Sequence, residues 1–133
     1  MLHSGDFDFS FSGIKTSVLY LIKKLPELTD DIKKEIALEF ESAVTEVLIA
    51  KTKAAAEQYG ARTLLLGGGV VANVHIRRSF EALGEELGIA LHIPEKDLTT
   101  DNALIIAVAG LFRKEGAQNA AMIQAKGNLS LEV

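Results

Sequence analysis

A short apolar run that leads directly into three consecutive glycines limits what this chain can fold into. Residues 63–66 are mostly apolar, Gly67, Gly68 and Gly69 follow at once, and Asn73 opens a stretch with helical periodicity. Short apolar runs bounded by turn signals are typical of buried strands. Because glycine has no Cβ atom, backbone N–H groups in such a turn can approach a phosphate or a sugar at a helix start. The sequence therefore predicts a strand, an anion- or nucleotide-binding turn, and a helix.

Apolar residues at helical spacing predict helices on both sides of this turn. The expected ranges are residues 14–25, 30–59, 73–87 and 103–115. Pro26 ends the first helix, Thr29 caps the second, and Gly60 and Gly88 end the second and third. The start of the fourth helix is apolar on every side, which is typical of a buried helix.

The long second helix carries one apolar stripe and many charges. Glu41 and Lys51 are among the charged residues that lie off this stripe. Charges in that arrangement usually belong to a solvated helix face, and we expect both side chains in solvent.

Only a few strands are predicted. Residues 89–93 form a second apolar run, so the unit from Thr63 to Ile93 should be a parallel, right-handed strand–helix–strand crossover. Residues 7–12 and 128–133 alternate at period two and are expected as edge strands, although Ser10, Ser12 and Lys15 could instead line a site beside the turn. Two parallel strands do not make an independently stable sheet, so a neighbouring domain or chain should supply more.

Composition restricts the class of protein. The 133 residues fit one domain and are 48% hydrophobic, and the net charge of −4 does not suit a chain that binds nucleic acid by itself. Cysteine is absent, which excludes disulfides and thiolate metal sites. The first residues lack the features of a signal peptide, and the longest apolar run, residues 103–112, is too short for a bilayer. We expect a cytoplasmic protein without membrane contact.

Two further patterns indicate a possible dinucleotide-binding site and a possible metal ligand. Gly67, Gly69 and Ala72 fit the spacing of a dinucleotide-binding turn, and Glu95 lies at a suitable distance for a ribose contact. Asp101 precedes the fourth helix and is expected either as its N-cap or as a ligand to a divalent metal. The histidines do not share a helix at ligand spacing, so the sequence shows no complete metal site and no catalytic triad.

Three motifs together resemble one known family. They are residues 10–16, residues 66–73 with Arg77 following, and residues 100–103, in that order. Their sequence and spacing are similar to the C-terminal part of the TsaD family, the tRNA N6-adenosine threonylcarbamoyltransferases once named as Gcp-type M22 peptidases. The resemblance covers nearly the whole chain.

The resemblance implies a fold and a set of roles. The fold would be the α/β actin/hexokinase/Hsp70-like ATPase fold, of which this chain is a helix-rich C-terminal lobe with few strands. Gly67, Gly68 and Gly69 would contact the nucleotide part of ATP or threonylcarbamoyl-adenylate, and Asn73 would be the substrate-binding asparagine. Asp101 would ligate a divalent metal, iron or zinc. Transfer would be to N6 of a tRNA adenosine, with TsaB- and TsaE-like partner proteins.

The chain also departs from the family pattern. Family members are more than twice as long, and their N-terminal lobe carries an H-x-x-x-H metal-binding pair that is absent here. We therefore expect residues 1–133 to form a single domain, a C-terminal lobe that is inactive alone and retains no metal. Apolar surface left uncovered should promote self-association.

Two other classes of function stay open at this point. One is a dinucleotide-binding domain of an oxidoreductase that uses Gly67, Gly69 and Glu95. The other is a non-catalytic module that only docks a partner chain. The peptidase interpretation is the least favoured, because no general base and no full metal triad are visible.

Overall fold

A computed structural model describes residues 2–113 of the chain. The chain divides into two compact units, Met1–Thr100 and Asp101–Val133. The helices are α1 (Phe11–Lys24), α2 (Asp30–Tyr59), α3 (Val74–Leu87) and α4 (Ala103–Phe112), and the strands are β1 (Thr63–Leu65) and β2 (Ala90–His92). Two short 3₁₀ helices cover Gly69–Ala72 and Lys96–Leu98.

Helix α1 replaces part of the predicted first strand. The helix begins at Phe11, and the Ser10 hydroxyl accepts a hydrogen bond from the N–H of Gly13 at 3.3 Å. The strand prediction for residues 7–12 was wrong because this cap starts a helix halfway through the alternating pattern. The rings of Phe9 and Phe11, predicted to share one strand face, instead meet edge to face across this boundary, with centroids 4.4 Å apart.

Helix α2 matches its prediction closely. The Thr29 hydroxyl accepts from the N–H of Ile32 at 3.3 Å, and Gly60 ends the helix with a φ of 60°. That left-handed conformation favours glycine, which explains why the helix stops there. The first turn carries two aspartates, which favour the positive end of the helix dipole.

The strand–helix–strand unit is confirmed. Strands β1 and β2 pair in parallel, with Thr63 opposite Ala90 and Leu65 opposite His92. Helix α3 connects them, begins after Asn73 and ends at Gly88, whose φ is 64°. Helix-rich α/β architecture with a small parallel sheet is therefore the observed fold class of the described residues.

The core of the first unit lies between α2 and α3. Val44, Ile76, Phe80 and Leu83 are buried together, and Leu64 and Leu91 from the two strands pack against them. Gly84 lets α3 approach β2 closely, because a Cβ atom at this position would stand 3.3 Å from the Cβ of Leu91. Ile76 lies on the first turn of α3, so this cluster holds the helix start that follows the glycine turn.

Helix α4 belongs to the second unit and differs from its prediction in two respects. Its N-cap is Asn102, whose side-chain oxygen accepts from the N–H of Ile105 at 3.0 Å, so the alternative that assigned the cap to Asp101 was wrong. The predicted burial was also wrong for the described residues, since Ile106 is 72% exposed and Phe112 is 84% exposed. An apolar helix is buried only where another surface covers it, and sequence alone does not show that surface.

Two predictions fall beyond the part of the chain that the structure describes. These are the end of the regular region at Gly116 and the edge strand at residues 128–133. Within the described part, no helix combines the length and the hydropathy needed to cross a bilayer.

Candidate functional site

The glycine turn sits at the carboxyl end of β1 and the amino end of α3. The N–H of Leu66 still donates to the carbonyl of His92 at 3.0 Å, which extends the pairing of the sheet by one residue. The next backbone bonds along the chain belong to the 3₁₀ turn, where Val71 N–H donates to Gly68 O and Asn73 N–H donates to Val70 O, each at 3.1 Å. The turn is therefore held at both ends.

The three glycines are not equivalent. Gly68 has a φ of 89° and a ψ of 167°, a conformation that is almost restricted to glycine. Gly67 and Gly69 lack a positive φ, and a Cβ atom at either position would meet no heavy atom within 4 Å. Gly68 is thus required by the backbone, whereas packing among the described residues does not require the other two.

The open side of the turn presents backbone donors. Among the described residues, the N–H groups of Gly67 and Gly68 donate no hydrogen bond to the protein. Both residues are exposed. N–H groups without protein acceptors, close to the amino end of a helix, are the chemistry that binds anions and phosphates.

Asn73 is anchored at both ends of its amide. Its Oδ1 accepts from the N–H of Ile76 at 2.9 Å and caps α3, while its Nδ2 donates to Oε1 of Glu41 at 2.6 Å. The prediction that Glu41 belongs to a solvated helix face was wrong, because this half-buried side chain holds Asn73. The apolar stripe of α2 gives no sign of the contact. The only sequence signal is that an asparagine cap leaves its NH₂ group unused.

Arg77, which follows the motif, lies on the first turn of α3 and reaches the segment after β2. Its Nη2 donates to the carbonyl of Pro94 at 2.5 Å, and its backbone N–H donates to Asn73 O at 3.1 Å. The guanidinium therefore joins the start of α3 to the end of the second strand. Glu95, the candidate ribose contact, is the next residue and is exposed.

Lys51 forms a contact that sequence reasoning also missed. Its side chain is only 9% exposed, and its Nζ donates to Ser4 Oγ at 3.0 Å, to Asp6 O at 2.7 Å and to Asp6 Oδ1 at 3.0 Å. The expectation of a solvated Lys51 was wrong because these three acceptors replace water around the ammonium. Hydrogen bonds from Ser4 and from Lys51 lower the pKa of Asp6 from 3.8 to about 2.

Asp101 lies in the second unit and is exposed. His75 and His92 are exposed in the first unit. The residues described here contain no group of three or more histidine, cysteine, aspartate or glutamate side chains that could hold a metal ion. A structural zinc ion takes four ligands and a catalytic one takes three from the protein, so these residues do not fit a complete metal site.

Comparison with known proteins decides between the remaining interpretations. A family model described as TsaD, tRNA N6-adenosine threonylcarbamoyltransferase, matches residues 2–108. The chain belongs to the TsaD family. The match includes the glycine turn, Asn73 and Asp101, and it favours the transferase family over a dinucleotide-binding oxidoreductase.

Individual proteins that are similar to this chain have the same description as the family model. The tRNA N6-adenosine threonylcarbamoyltransferase of Verminephrobacter eiseniae is 42% identical over 121 residues, which cover 90% of this chain and 35% of the relative. That of Thermosipho africanus is 40% identical over 133 residues, covering 98% of this chain and 40% of the relative. That of Chloroherpeton thalassium is 45% identical over 114 residues, covering 85% of this chain and 32% of the relative. The chain therefore spans about a third of the length of the TsaD-family proteins it matches.

Proposed function

We propose that this TsaD-family chain supplies one wall of the substrate site of a tRNA N6-adenosine threonylcarbamoyltransferase. The reaction would transfer a threonylcarbamoyl group from threonylcarbamoyl-adenylate to N6 of a tRNA adenosine. The observation that carries the proposal is the open face of the turn, since Gly67 and Gly69 are glycines although no packing within the described chain demands it. A ligand that approaches the backbone closely would account for both.

The turn would hold the nucleotide part of the substrate. The N–H groups of Gly67 and Gly68 donate no hydrogen bond within residues 2–113, and the N-terminal end of α3 adds a positive partial charge. Donors that are fixed before the substrate arrives stabilise developing negative charge without reorganising, which is the usual source of electrostatic catalysis. ATP or threonylcarbamoyl-adenylate would therefore be the ligand of this face.

Asn73 would contact the same substrate. One hydrogen of its Nδ2 is committed to Glu41, and the second hydrogen and one lone pair of Oδ1 have no partner among the described residues, so a ligand could use them. Because Glu41 and the cap fix which way the amide points, Asn73 would present this donor in a constant direction.

Asp101 would provide one carboxylate to a divalent metal, iron or zinc, in the complete family protein. Carboxylate oxygen suits such ions. The other ligands would come from outside the described residues, and the isolated chain would not retain the metal.

The tRNA and protein partners would be recognised elsewhere in the assembly. With a net charge of −4, this chain provides little of the attraction that tRNA phosphates need. TsaB- and TsaE-like proteins and the rest of the family protein would complete the enzyme in the cytoplasm, and the chain alone would be inactive.

Reconstitution tests this proposal. Threonylcarbamoyl transfer to tRNA would be assayed with the chain alone, and with the chain co-expressed with the remainder of the Thermosipho africanus relative and the TsaB- and TsaE-like proteins. We expect turnover only in the completed mixture, and a loss of at least about tenfold with Gly69→Ala, which corresponds to roughly 1.4 kcal/mol. Gly110→Ala in α4 is the matched control, because its Cβ would also meet nothing. Turnover by the chain alone, or equal activity of both variants, would contradict the proposal.

A further inference from the structure

Glu41 is a half-buried carboxylate that forms no ion pair within residues 2–113. The ion pairs of the described chain join other side chains, namely Lys33–Asp30, Lys34–Asp31, Lys51–Asp6 and Lys53–Glu86. The Oε1 atom of Glu41 instead accepts a hydrogen bond at 2.6 Å from Nδ2 of Asn73, which is a neutral group. A carboxylate that is withdrawn from water is usually paired with a cation. The negative charge of Glu41 is therefore not compensated by a cationic side chain of the described chain.

This charge lies at the start of α3. Asn73 is the N-cap of the helix, and the first turn that follows contains no acidic residue. Negative side chains are stabilised at the amino end of a helix, which explains why Glu41 is tolerated here without a cation. Arg77, on the same turn, directs its Nη2 to the carbonyl of Pro94. The charge of Glu41 therefore opposes part of the attraction that the start of α3 offers to an anionic ligand.

The carboxylate is close enough to the glycine turn to act on a ligand there. A 3₁₀ helix rises about 2.0 Å per residue, so Asn73 lies about 8 Å from Gly69. That separation is about one Debye length at physiological ionic strength, and partial burial of Glu41 weakens the screening by salt. The N–H groups of Gly67 and Gly68 would attract one phosphate, whereas Glu41 would repel the further charges of a polyphosphate.

We propose that Glu41 is a specificity-determining residue of the nucleotide site, and that its carboxylate favours an acyl-adenylate over ATP. The inference rests on the proposed function, because it requires a nucleotide on the glycine turn. The phosphate of an acyl-adenylate is bonded to two organic groups and carries a single negative charge, whereas the triphosphate of ATP carries several. The hydrogen bond to Asn73 holds the carboxylate in place, so its repulsion always acts on the same side of the site.

Glu41→Gln separates the charge from the hydrogen bond. The carbonyl oxygen of the glutamine still accepts from Nδ2 of Asn73, so this variant should keep the contact and the fold. Glu39→Gln is the matched control, because it removes the same charge from an exposed position of α2 that lies beside α1. An effect of net charge alone, which is −4 in the parent chain, would appear equally in both variants.

Titrations with AMP and with ATP, followed by NMR of the ¹⁵N-labelled chain, test the proposal. Both dissociation constants are measured without divalent cations, which would neutralise the triphosphate. We expect the parent chain and Glu39→Gln to prefer AMP over ATP by nearly the same factor. In Glu41→Gln this preference should fall by about fivefold, which is what Coulomb's law gives for about two extra charges at about 8 Å in water. An unchanged preference in Glu41→Gln, or an equal fall in Glu39→Gln, would overturn the proposal.

The salt dependence of the parent chain covers the case in which Glu41→Gln unfolds. The Debye length falls from about 30 Å at 0.01 M salt to about 3 Å at 1 M, so the preference for AMP should decrease severalfold over this range. A preference that does not depend on salt would overturn the proposal. If neither nucleotide shifts the amides of the glycine turn, the proposed function and this inference both fail. Binding of AMP with an unchanged preference in Glu41→Gln overturns the inference alone.

Discussion

The amide of Asn73 donates a 2.6 Å hydrogen bond to the carboxylate of Glu41 and so joins the start of α3 to α2. The same amide caps α3 through its oxygen. One side chain therefore sets both the helix start beside the glycine turn and its position against the longest helix of the chain. Both residues are half-buried, which shields the contact from water.

A double-mutant cycle measures the Asn73–Glu41 contact. Asn73→Ser keeps a capping oxygen and removes the amide donor, and Glu41→Ala removes the acceptor. We expect each single variant to cost about 1 kcal/mol in the free energy of unfolding, and the double variant to cost about 1 kcal/mol less than their sum, because the same bond is lost in each. Urea unfolding at neutral pH measures the three values. Additive losses would show that the bond contributes nothing.

Gly68 and Gly69 should respond differently to alanine. Gly68→Ala forces a side chain into a region reserved for glycine and should lower the free energy of unfolding by about 1–3 kcal/mol. Gly69→Ala meets no neighbour within 4 Å and should leave thermal stability nearly unchanged. Thermal unfolding of the two variants checks this, and a strongly destabilised Gly69→Ala would disprove the view that this face is open.

The Lys51–Asp6 contact should make the free energy of unfolding depend on pH under acidic conditions. Since the Ser4 and Lys51 hydrogen bonds lower the pKa of Asp6 to about 2, the stabilisation is present above the ordinary value of 3.8 and is lost as the pH falls from there toward 2. Titration of the Asp6 carboxyl by NMR should give a midpoint near 2, and Lys51→Met should move it upward. Asp6→Asn should flatten the loss of stability in this range. A midpoint at 3.8 in the parent chain would contradict the contact.

Sequence periodicity and capping predicted most of the backbone, and the errors have two causes, one local and one long-range. The strand prediction at residues 7–12 failed because alternation over a few residues competes with the cap at Ser10. Lys51 and Glu41 were placed in solvent because a helical wheel describes one helix and not the segments that fold over it. The glycine turn could be predicted because its chemistry is local, whereas the partners of Asn73 depend on a residue 32 positions away.

Exposed apolar residues on α4 should promote self-association of the chain. Ile106 and Phe112 are 72% and 84% exposed, and large exposed apolar side chains favour contact between copies. Light scattering at increasing concentration should show oligomers of the parent chain. Ile106→Glu combined with Phe112→Ser should shift the distribution toward monomer. A parent chain that stays monomeric at high concentration would refute this prediction.

The central claim is that the open face of the glycine turn contacts the nucleotide part of the substrate. Titration of the ¹⁵N-labelled chain with AMP, followed by NMR, tests it most directly. We expect binding with a dissociation constant of about 1 mM, equivalent to roughly −4 kcal/mol, with the largest shifts at the amides of Gly67, Gly68 and Gly69 and at the Asn73 side chain. Gly69→Ala should abolish these shifts and Gly110→Ala should retain them. Absence of shifts at saturating AMP, or shifts confined to other residues, would contradict the claim.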